Sequence, residues 1–334
     1  MKYTLTELAD TLERHFTTNG VPSQAAKDSA LVLATAEALG LRTHGVVRAA
    51  EYVRRMDVGG ISRTEPEVAA SSGPMSLVDA KNGVGPAAAM VAVREVQKAS
   101  EQFGMGMCLV RHSNHFGPAM PYSVLLAESG IASYVASNAS PTMAAWGGTT
   151  PVIGNSPFGW GLPGGAHNSR PILVDMALSQ VARAKIRQAK QQNSSIPSDW
   201  ATDSRGAATT DPEAALSGLL LPVGAHKGYG LSIAVDFMTG VLSGSGYSTT
   251  VNSWSSEPST ASNLGHIVIG MNMDVVRQFT PDLDERIADF QQRLLVDRPL
   301  ADVRLPGQSE YEKYLHSMTN RSIDVDEAVS EALN

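Results

Sequence analysis

The sequence predicts an α/β protein with a helical N-terminal lobe. Short apolar runs at 107–110, 132–136 and 171–175 read as buried strands. The stretches 86–103 and 118–129 carry apolar residues at helical spacing, so strand and helix alternate as in an α/β layer. Before residue 65 the pattern is helical.

Taken in order, Thr4 can cap a helix over 4–15, with Leu5, Leu8, Leu12 and Phe16 on one face. Ser23 is the expected cap of an Ala-rich helix over 25–39 that stops at Gly40. Thr43 can cap a third helix, on which His44, Arg48 and Tyr52, four apart, share a face. Segments 67–70 and 75–79 read as extended. The helix from Pro86 opens with proline at a permitted first-turn position. The polar heptad Arg111-His112-Ser113-Asn114-His115-Phe116-Gly117 reads as a strand-to-helix turn, a place where α/β proteins present side chains to ligands. After the strand at 171–175 comes a basic helix bearing Arg183, Lys185, Arg187 and Lys190. Residues 193–216 and 243–263 read as loops, 231–242 as a helix, 265–271 as a strand, and 282–295 and 310–318 as helices. The chain divides into a helical lobe, 1–65, and an α/β region, 66–334, interleaved, with the C-terminal helix packing back.

Apolar residues make up 43% of the 334, enough for sizeable cores. The net charge of −7 argues against nucleic acid or a membrane surface as partner. A single cysteine, Cys108, excludes a disulfide within the chain and fits a reducing compartment. No apolar run reaches the length of a membrane span, and the N-terminal residues lack a secretory apolar core, so a cytoplasmic protein is expected.

Several groups of residues have chemistry to offer. Arg48 can hold a carboxylate bidentately, His44 can pass a proton and Tyr52 can hydrogen-bond; the same stripe also reads as a solvated helix face. His112 and His115 supply donors and acceptors at one turn, or satisfy local backbone. With His44 they also make a three-histidine set for a metal-dependent hydrolase or lyase. Lys227, beside glycines at a helix start, is an anion-binding candidate, as are the basic helix and the strand end before it. No GxGxxG, Walker or paired CxxC motif is present.

Six motifs run through the chain in order: Arg42-Thr43-His44-Gly45-Val46-Val47-Arg48, the heptad at 111–117, Trp146-Gly147-Gly148, Val174-Asp175-Met176-Ala177-Leu178-Ser179, His226-Lys227-Gly228-Tyr229-Gly230 and Arg304-Leu305-Pro306-Gly307-Gln308. Together they resemble the malate/L-lactate dehydrogenase family, which also includes sulfolactate, ureidoglycolate and 2,3-diketogulonate oxidoreductases and piperideine-2-carboxylate reductases. The resemblance implies a family-specific, non-Rossmann dinucleotide-binding α/β fold and a homodimer. It implies that His44 is the proton donor, with Thr43 or His115 orienting or recharging it; the family assigns the position of His115 as the acid/base in some members and along the nicotinamide in others. By the same resemblance Arg48 binds the substrate carboxylate, with Tyr52 and Asn155 on the substrate side. His115, Phe116, Gly117, the 174–179 segment, His226, Lys227, Gly228, Arg304, Pro306, Gly307 and Gln308 are implied to hold NAD or NADP; Arg183 is added to them from its charge on the basic helix. Three positions depart from the family pattern: Thr43 replaces a serine, Asn155-Ser156 stand inside a Gly-x-x-Pro turn, and Gln308-Ser309 replace an acidic residue.

The implied reaction is hydride transfer to C2 of a small 2-oxo acid or cyclic 2-imino acid, reversible from the hydroxy or amino acid, with no metal. Arg183, Lys185 and Arg187 favour NADPH through its ribose phosphate. A catalytically silent binding protein on the same fold is the remaining reading; the presence of His44 and Arg48 argues against it.

Overall fold

The computed structural model describes residues 1–166, 169–295 and 303–333. β1 (Lys2–Tyr3) leads into α1 (Leu5–Thr18). Thr4 caps it: its hydroxyl accepts from the Glu7 N–H (3.2 Å), and Glu7 accepts in return from the Thr4 N–H (2.9 Å). α2 (Ser23–Ala38) begins behind Pro22 without a side-chain cap, so Ser23 is its first residue, not its cap.

The helix expected from Thr43 onward is broken in two. Arg42–His44 form a 3₁₀ turn, and α3 (Val47–Asp57) starts three residues later. The cause is Glu37. Its Oε2 accepts from the Val46 N–H (3.0 Å) and draws the chain onto α2. A Cβ at Gly45 would run into that carboxylate, so only glycine lets the chain pass.

Next come β2 (Glu67–Ser72), β3 (Met75–Asp79), α4 (Gly85–Phe103), β4 (Met105–Ser113), α5 (Met120–Glu128) and β5 (Ile131–Ser137). The alternation follows the sequence pattern, although Arg111, His112 and Ser113 prolong the strand, leaving a turn of only 114–119. β6 (Met143–Ala144), β7 (Pro151–Ile153), β8 (Phe158–Leu162) and β9 (Ile172–Met176) complete this half. α6 (Arg183–Gln191), α7 (Pro212–Leu216), α8 (His226–Asp236), β10 (Leu264–Asn272), α9 (Met273–Phe279), α10 (Leu283–Leu295), α11 (Gln308–Thr319), β11 (Ile323–Asp324) and α12 (Glu327–Glu331) follow.

Seven strands form one sheet in the order β2-β3-β4-β10-β5-β8-β9; only β3 and β4 pair in parallel. The heptad therefore does not sit at the switch point of a doubly wound parallel sheet. Alternation along β4 sends Cys108 and Val110 to one face, into a core with Val93 and Val96 of α4 and Leu126 of α5. Burial pushes the Cys108 thiol up to about 12, so it is inert at neutral pH. On the other face Leu109, Ala136 and Ile267 meet Leu178 and Val235 of α8. A separate cluster joins Leu8, Leu12, Phe16 and Leu33 to Tyr311, Tyr314 and Leu333 from the other end of the chain. There β1 pairs with β11.

Two expectations are corrected. Residues 193–216 are not a plain surface loop. Ile196, Ala201 and Ala215 are buried with Val181 and Ile186, and Asp211 caps α7 through the Glu213 and Ala214 amides. α8 starts at His226, not at 231, because Gly224 and Ala225 take left-handed φ (61° and 58°) and turn the chain directly into the helix. Among the described residues no helix is long and apolar enough to cross a membrane.

Candidate active site

Three separate parts of the chain bring rings together in a column. His44 comes from the 3₁₀ turn, His115 from the turn after β4, and Trp254 from the loop before β10. The His44 and His115 rings stack with centroids 5.6 Å apart, and His115 stacks on Trp254 at 5.4 Å, both pairs inclined by 27°. The Arg48 guanidinium lies over the Trp254 ring at 5.0 Å. Arg48 also donates from Nε to the Thr43 carbonyl (2.8 Å) and from Nη1 to Glu51 (2.5 Å). Its Nη2 has no partner among the described residues. Arg48 reaches back across the break at Gly45 to the Thr43 carbonyl, beside His44, and its charge acts on that imidazole, but the two do not share one helix face.

Each imidazole is held by one nitrogen. The Thr43 hydroxyl pairs with His44 Nδ1 (2.9 Å), and Thr43 does this instead of capping a helix. The Tyr52 hydroxyl pairs with His115 Nδ1 (2.7 Å). Tyr52 is buried and its O–H has no other acceptor, so donation to Nδ1 avoids stranding it and puts the His115 proton on Nε2. Tyr52 therefore faces His115 and is closed off from solvent. Neither Nε2 has a protein partner among the described residues, so both point their reactive nitrogen at free space. Burial, reinforced by the Arg48 charge, brings the His44 pKa down to about 4. Burial, with the neighbouring His44 and Arg48 charges, holds His115 well below its ordinary value. Both are neutral at pH 7.

The support beneath the column is buried and polar. Arg55 donates to the Gly60, Pro258 and Thr260 carbonyls and to Asn114 Oδ1 (2.9–3.2 Å). Asn114 in turn donates to the Asn82 and Gly83 carbonyls (3.0 Å). Phe116 is core: it stacks on Tyr122 and on His266, whose two nitrogens pair with the Ser137 and Ser113 hydroxyls (2.8 Å). Its side chain is thus turned away from any cofactor surface, while Gly117 carries the turn at φ 83°.

A second region forms around the end of β9. The 174–180 and 221–223 segments are zipped together by Gln180 N–H to Leu221 O (2.7 Å) and Val223 N–H to Leu178 O (2.9 Å). Leu178 and Ser179 are buried; Val174, Asp175 and Ala177 are half-buried and Met176 is exposed. Asn155, half-buried, contributes its carbonyl to the Leu178 N–H (2.7 Å). His226 and Lys227 stand exposed on the first turn of α8, with Gly228 buried behind them and Trp146 edge-on to His226. The 304–308 turn docks on β9 through Leu173 N–H to Pro306 O (3.0 Å). There Gly307 has φ 73° and Gln308 folds back onto its own turn, its Oε1 accepting from Leu305 N–H (3.2 Å). Arg304 lies at the start of this turn. Asp175 links the two regions: its Oδ2 accepts from the Met120 N–H (2.9 Å) at the start of α5, just past His115 and Gly117. Burial raises its pKa to about 6.

The sequence profile of the malate/L-lactate dehydrogenase family matches residues 3–334. The chain belongs to that family. As a member it is an oxidoreductase, an NAD(P)-dependent dehydrogenase or reductase. It is 32% identical to (2R)-3-sulfolactate dehydrogenase (NADP(+)) of Chromohalobacter salexigens, over 94% of this chain and 91% of that protein. It is also 32% identical to Delta(1)-pyrroline-2-carboxylate reductase of Ancylobacter novellus, over 90% of this chain and 87% of that one. The fold matches the sulfolactate dehydrogenase structure from Methanocaldococcus jannaschii with a TM-score of 0.88 at 25% identity, covering 100% of this chain and 95% of that one.

The hydrolase alternative falls with this membership, and the geometry of the dehydrogenase shows why. His112 turns its Nδ1 onto Asp79 (3.1 Å) instead of joining His44 and His115. Among the described residues no cluster of three metal-ligating side chains exists. Arg183 is also placed differently from expectation: its Nη2 donates to the Leu216 carbonyl (2.6 Å) and so secures the end of α7. Trp254 and Arg55 were missed from sequence. A lone tryptophan in a Ser/Thr-rich loop was the only available sign of the first, and the second has the look of an ordinary helix-face cation.

Proposed function

We propose that this dehydrogenase reduces C2 of a small 2-oxo acid or cyclic 2-imino acid, and runs in reverse on the 2-hydroxy or amino acid. The observation that carries this reading is the meeting of Arg48, His44 and His115 in one column with both Nε2 atoms open. Arg48 takes the carboxylate through its unpartnered Nη2. The carbon to be reduced is adjacent to that carboxylate, so its oxygen or nitrogen comes within reach of His44 Nε2. A bound carboxylate offsets the Arg48 charge that helps keep His44 neutral, so substrate binding favours the imidazolium that donates the proton. Thr43 orients that ring and Tyr52 orients His115.

Bound NAD(P)H supplies the hydride. The chain's second region suits a dinucleotide: an exposed cation, Lys227, and His226 at a helix start, beside the 174–179 segment and the 304–308 turn. Asp175 keeps that region continuous with His115. NADPH is favoured over NADH by the exposed Lys185 and Arg187 on α6; Arg183, spent on Leu216, no longer counts toward it. We take the working unit to be a homodimer, since Leu231, Phe237, Val241 and Leu242 leave an apolar face exposed along α8 and the turn after it. A reducing cytoplasm suits its one buried thiol.

An NADPH- and NADH-linked screen of 2-oxo acids, with and without methylamine, plus pyrroline- and piperideine-2-carboxylate, tests the reaction. Turnover of none of them removes it. Sedimentation at micromolar concentration tests the dimer.

A further inference from the structure

The column holds a residue to which no part of the reaction above gives a role. Trp254 bridges the group that holds the carboxylate and the ring that faces the reacting carbon: Arg48 lies over its indole at 5.0 Å, and His115 stacks on it at 5.4 Å. A substrate whose carboxylate is on Arg48 and whose C2 is at the histidines must run its body past this indole.

The indole is fixed there. Its loop is closed by the Asn252 side chain on the Ala261 carbonyl (2.8 Å) and by the Asn252 N–H on Ser262 (3.2 Å). Inside, the Glu257 and Thr260 amides make successive turns onto Ser253 and Glu257. Arg55, buried beneath, holds the far end through Pro258 and Thr260. The fit is tight enough that any Cβ at Gly60 would collide with the Pro258 carbonyl.

The charges around the indole are one-sided. The cations joined to this column among the described residues are Arg48, Arg55 and, through Glu51, Arg54 (3.5 Å), and Arg55 is consumed by three carbonyls and Asn114. Arg48 already carries Glu51. A substrate carboxylate then makes two anions, with Glu51, around two cations, Arg48 and Arg54. A second anionic group finds no unpaired cation and meets the Glu51 carboxylate, which repels it, and the apolar body of an indole whose ring already carries Arg48 and His115. An apolar or cationic body meets neither penalty.

Resting on the reductase reading above, we propose that Trp254 is the specificity-determining residue of this site. It selects monocarboxylates with an apolar or iminium body over substrates bearing a second carboxylate or a sulfonate, and Arg55 is the positioning residue that holds it in place.

The test compares kcat/KM of the full chain for pyrroline-2-carboxylate and 2-oxobutanoate with that for oxaloacetate and 3-sulfopyruvate. Wild-type enzyme is expected to favour the monocarboxylates by roughly ten-fold or more. Trp254→Leu should collapse that ratio, chiefly through the monocarboxylate KM, with the NADPH Kd from fluorescence titration unchanged. Trp254→Phe, which keeps an aromatic face, should retain most of the ratio and guards against a folding artefact. Arg55→Lys should lower the ratio partway. A wild-type preference for the dianions overturns the proposal, as does a ratio that Trp254→Leu leaves intact. Turnover of neither class by wild-type enzyme would instead remove the reductase reading, and this proposal with it.

Discussion

The ring column and the region around β9 present opposite kinds of surface. The column is built from side chains, drawn from residues 44, 115 and 254, and is anchored on a buried arginine and a buried asparagine. The β9 region is built mainly from backbone, joined by amide-to-carbonyl bonds, and its side chains, Met176, His226 and Lys227, stand in solvent. The first can tune pKa values because its rings are partly buried beside the Arg48 charge. The second offers a large, anionic ligand the exposed Lys227 and His226, while the amides that join its segments are already paired within the protein. The proposed proton chemistry falls in the column and the proposed recognition of the dinucleotide falls mainly outside it.

If that division holds, changes near β9 should act on cofactor affinity and changes in the column on turnover, except at His115, whose turn also reaches β9 through Met120 and Asp175. The largest effect is expected from His44→Asn: a loss of kcat on the order of 10²–10⁴-fold, as for a missing general acid, with NADPH binding retained in a fluorescence titration. His115→Asn should lower kcat less and weaken cofactor binding. A dead His115→Asn beside an active His44→Asn would reverse the two roles.

Next in size is the support. Arg55→Met strands the Pro258 and Thr260 carbonyls and Asn114, and should destabilise the fold by about 1–3 kcal/mol in urea unfolding. Unfolding at the wild-type denaturant concentration would mean that the loop is held by something other than Arg55.

Outside the column, Lys227→Ala should raise the cofactor KM several-fold and leave the substrate KM nearly unchanged. An equal rise in both would erase the distinction between the regions.

The smallest effect is on pH dependence. His44 goes from 6.5 to about 4 on folding, so between these values the unfolded chain binds the extra proton. Stability should fall as pH drops from 6.5 through about 4, and His44→Asn should flatten part of that slope in thermal melts. In the same direction, kcat/KM for reducing a 2-oxo acid should climb as pH falls from 8 toward 5, since more His44 carries its proton. A flat profile would mean that proton transfer from His44 is not felt in that step.

Much of the fold was legible because its cues are local. The capping box at Thr4 and the apolar runs of β4, β5 and β9 depend on neighbours within a few residues. α7 was hidden because Asp211-Pro212 looks like more of a polar loop; what makes it a buried element is distant Ile186 and Val181. The site was half legible. The nearness of His44 and Arg48 was visible in their spacing, but the single helix expected to carry both is not formed, because Glu37 on the neighbouring helix captures the Val46 amide. Phe116 carried a cofactor role by resemblance and Arg183 one by its charge; packing places the Phe116 ring in the core and the Arg183 guanidinium on a helix end.

The sequence by itself determined the family, most of the α/β alternation, and the residue types that the chemistry needs, because these are written in local runs and short motifs. Only the tertiary structure decided that Tyr52 should serve His115, that His112 should be drawn off to Asp79, and that Trp254 should stand between Arg48 and His115. Those outcomes turn on contacts across 33 to 206 positions of chain, where the winning partner is whichever one leaves no buried donor unpaired and no charge without its counterpart.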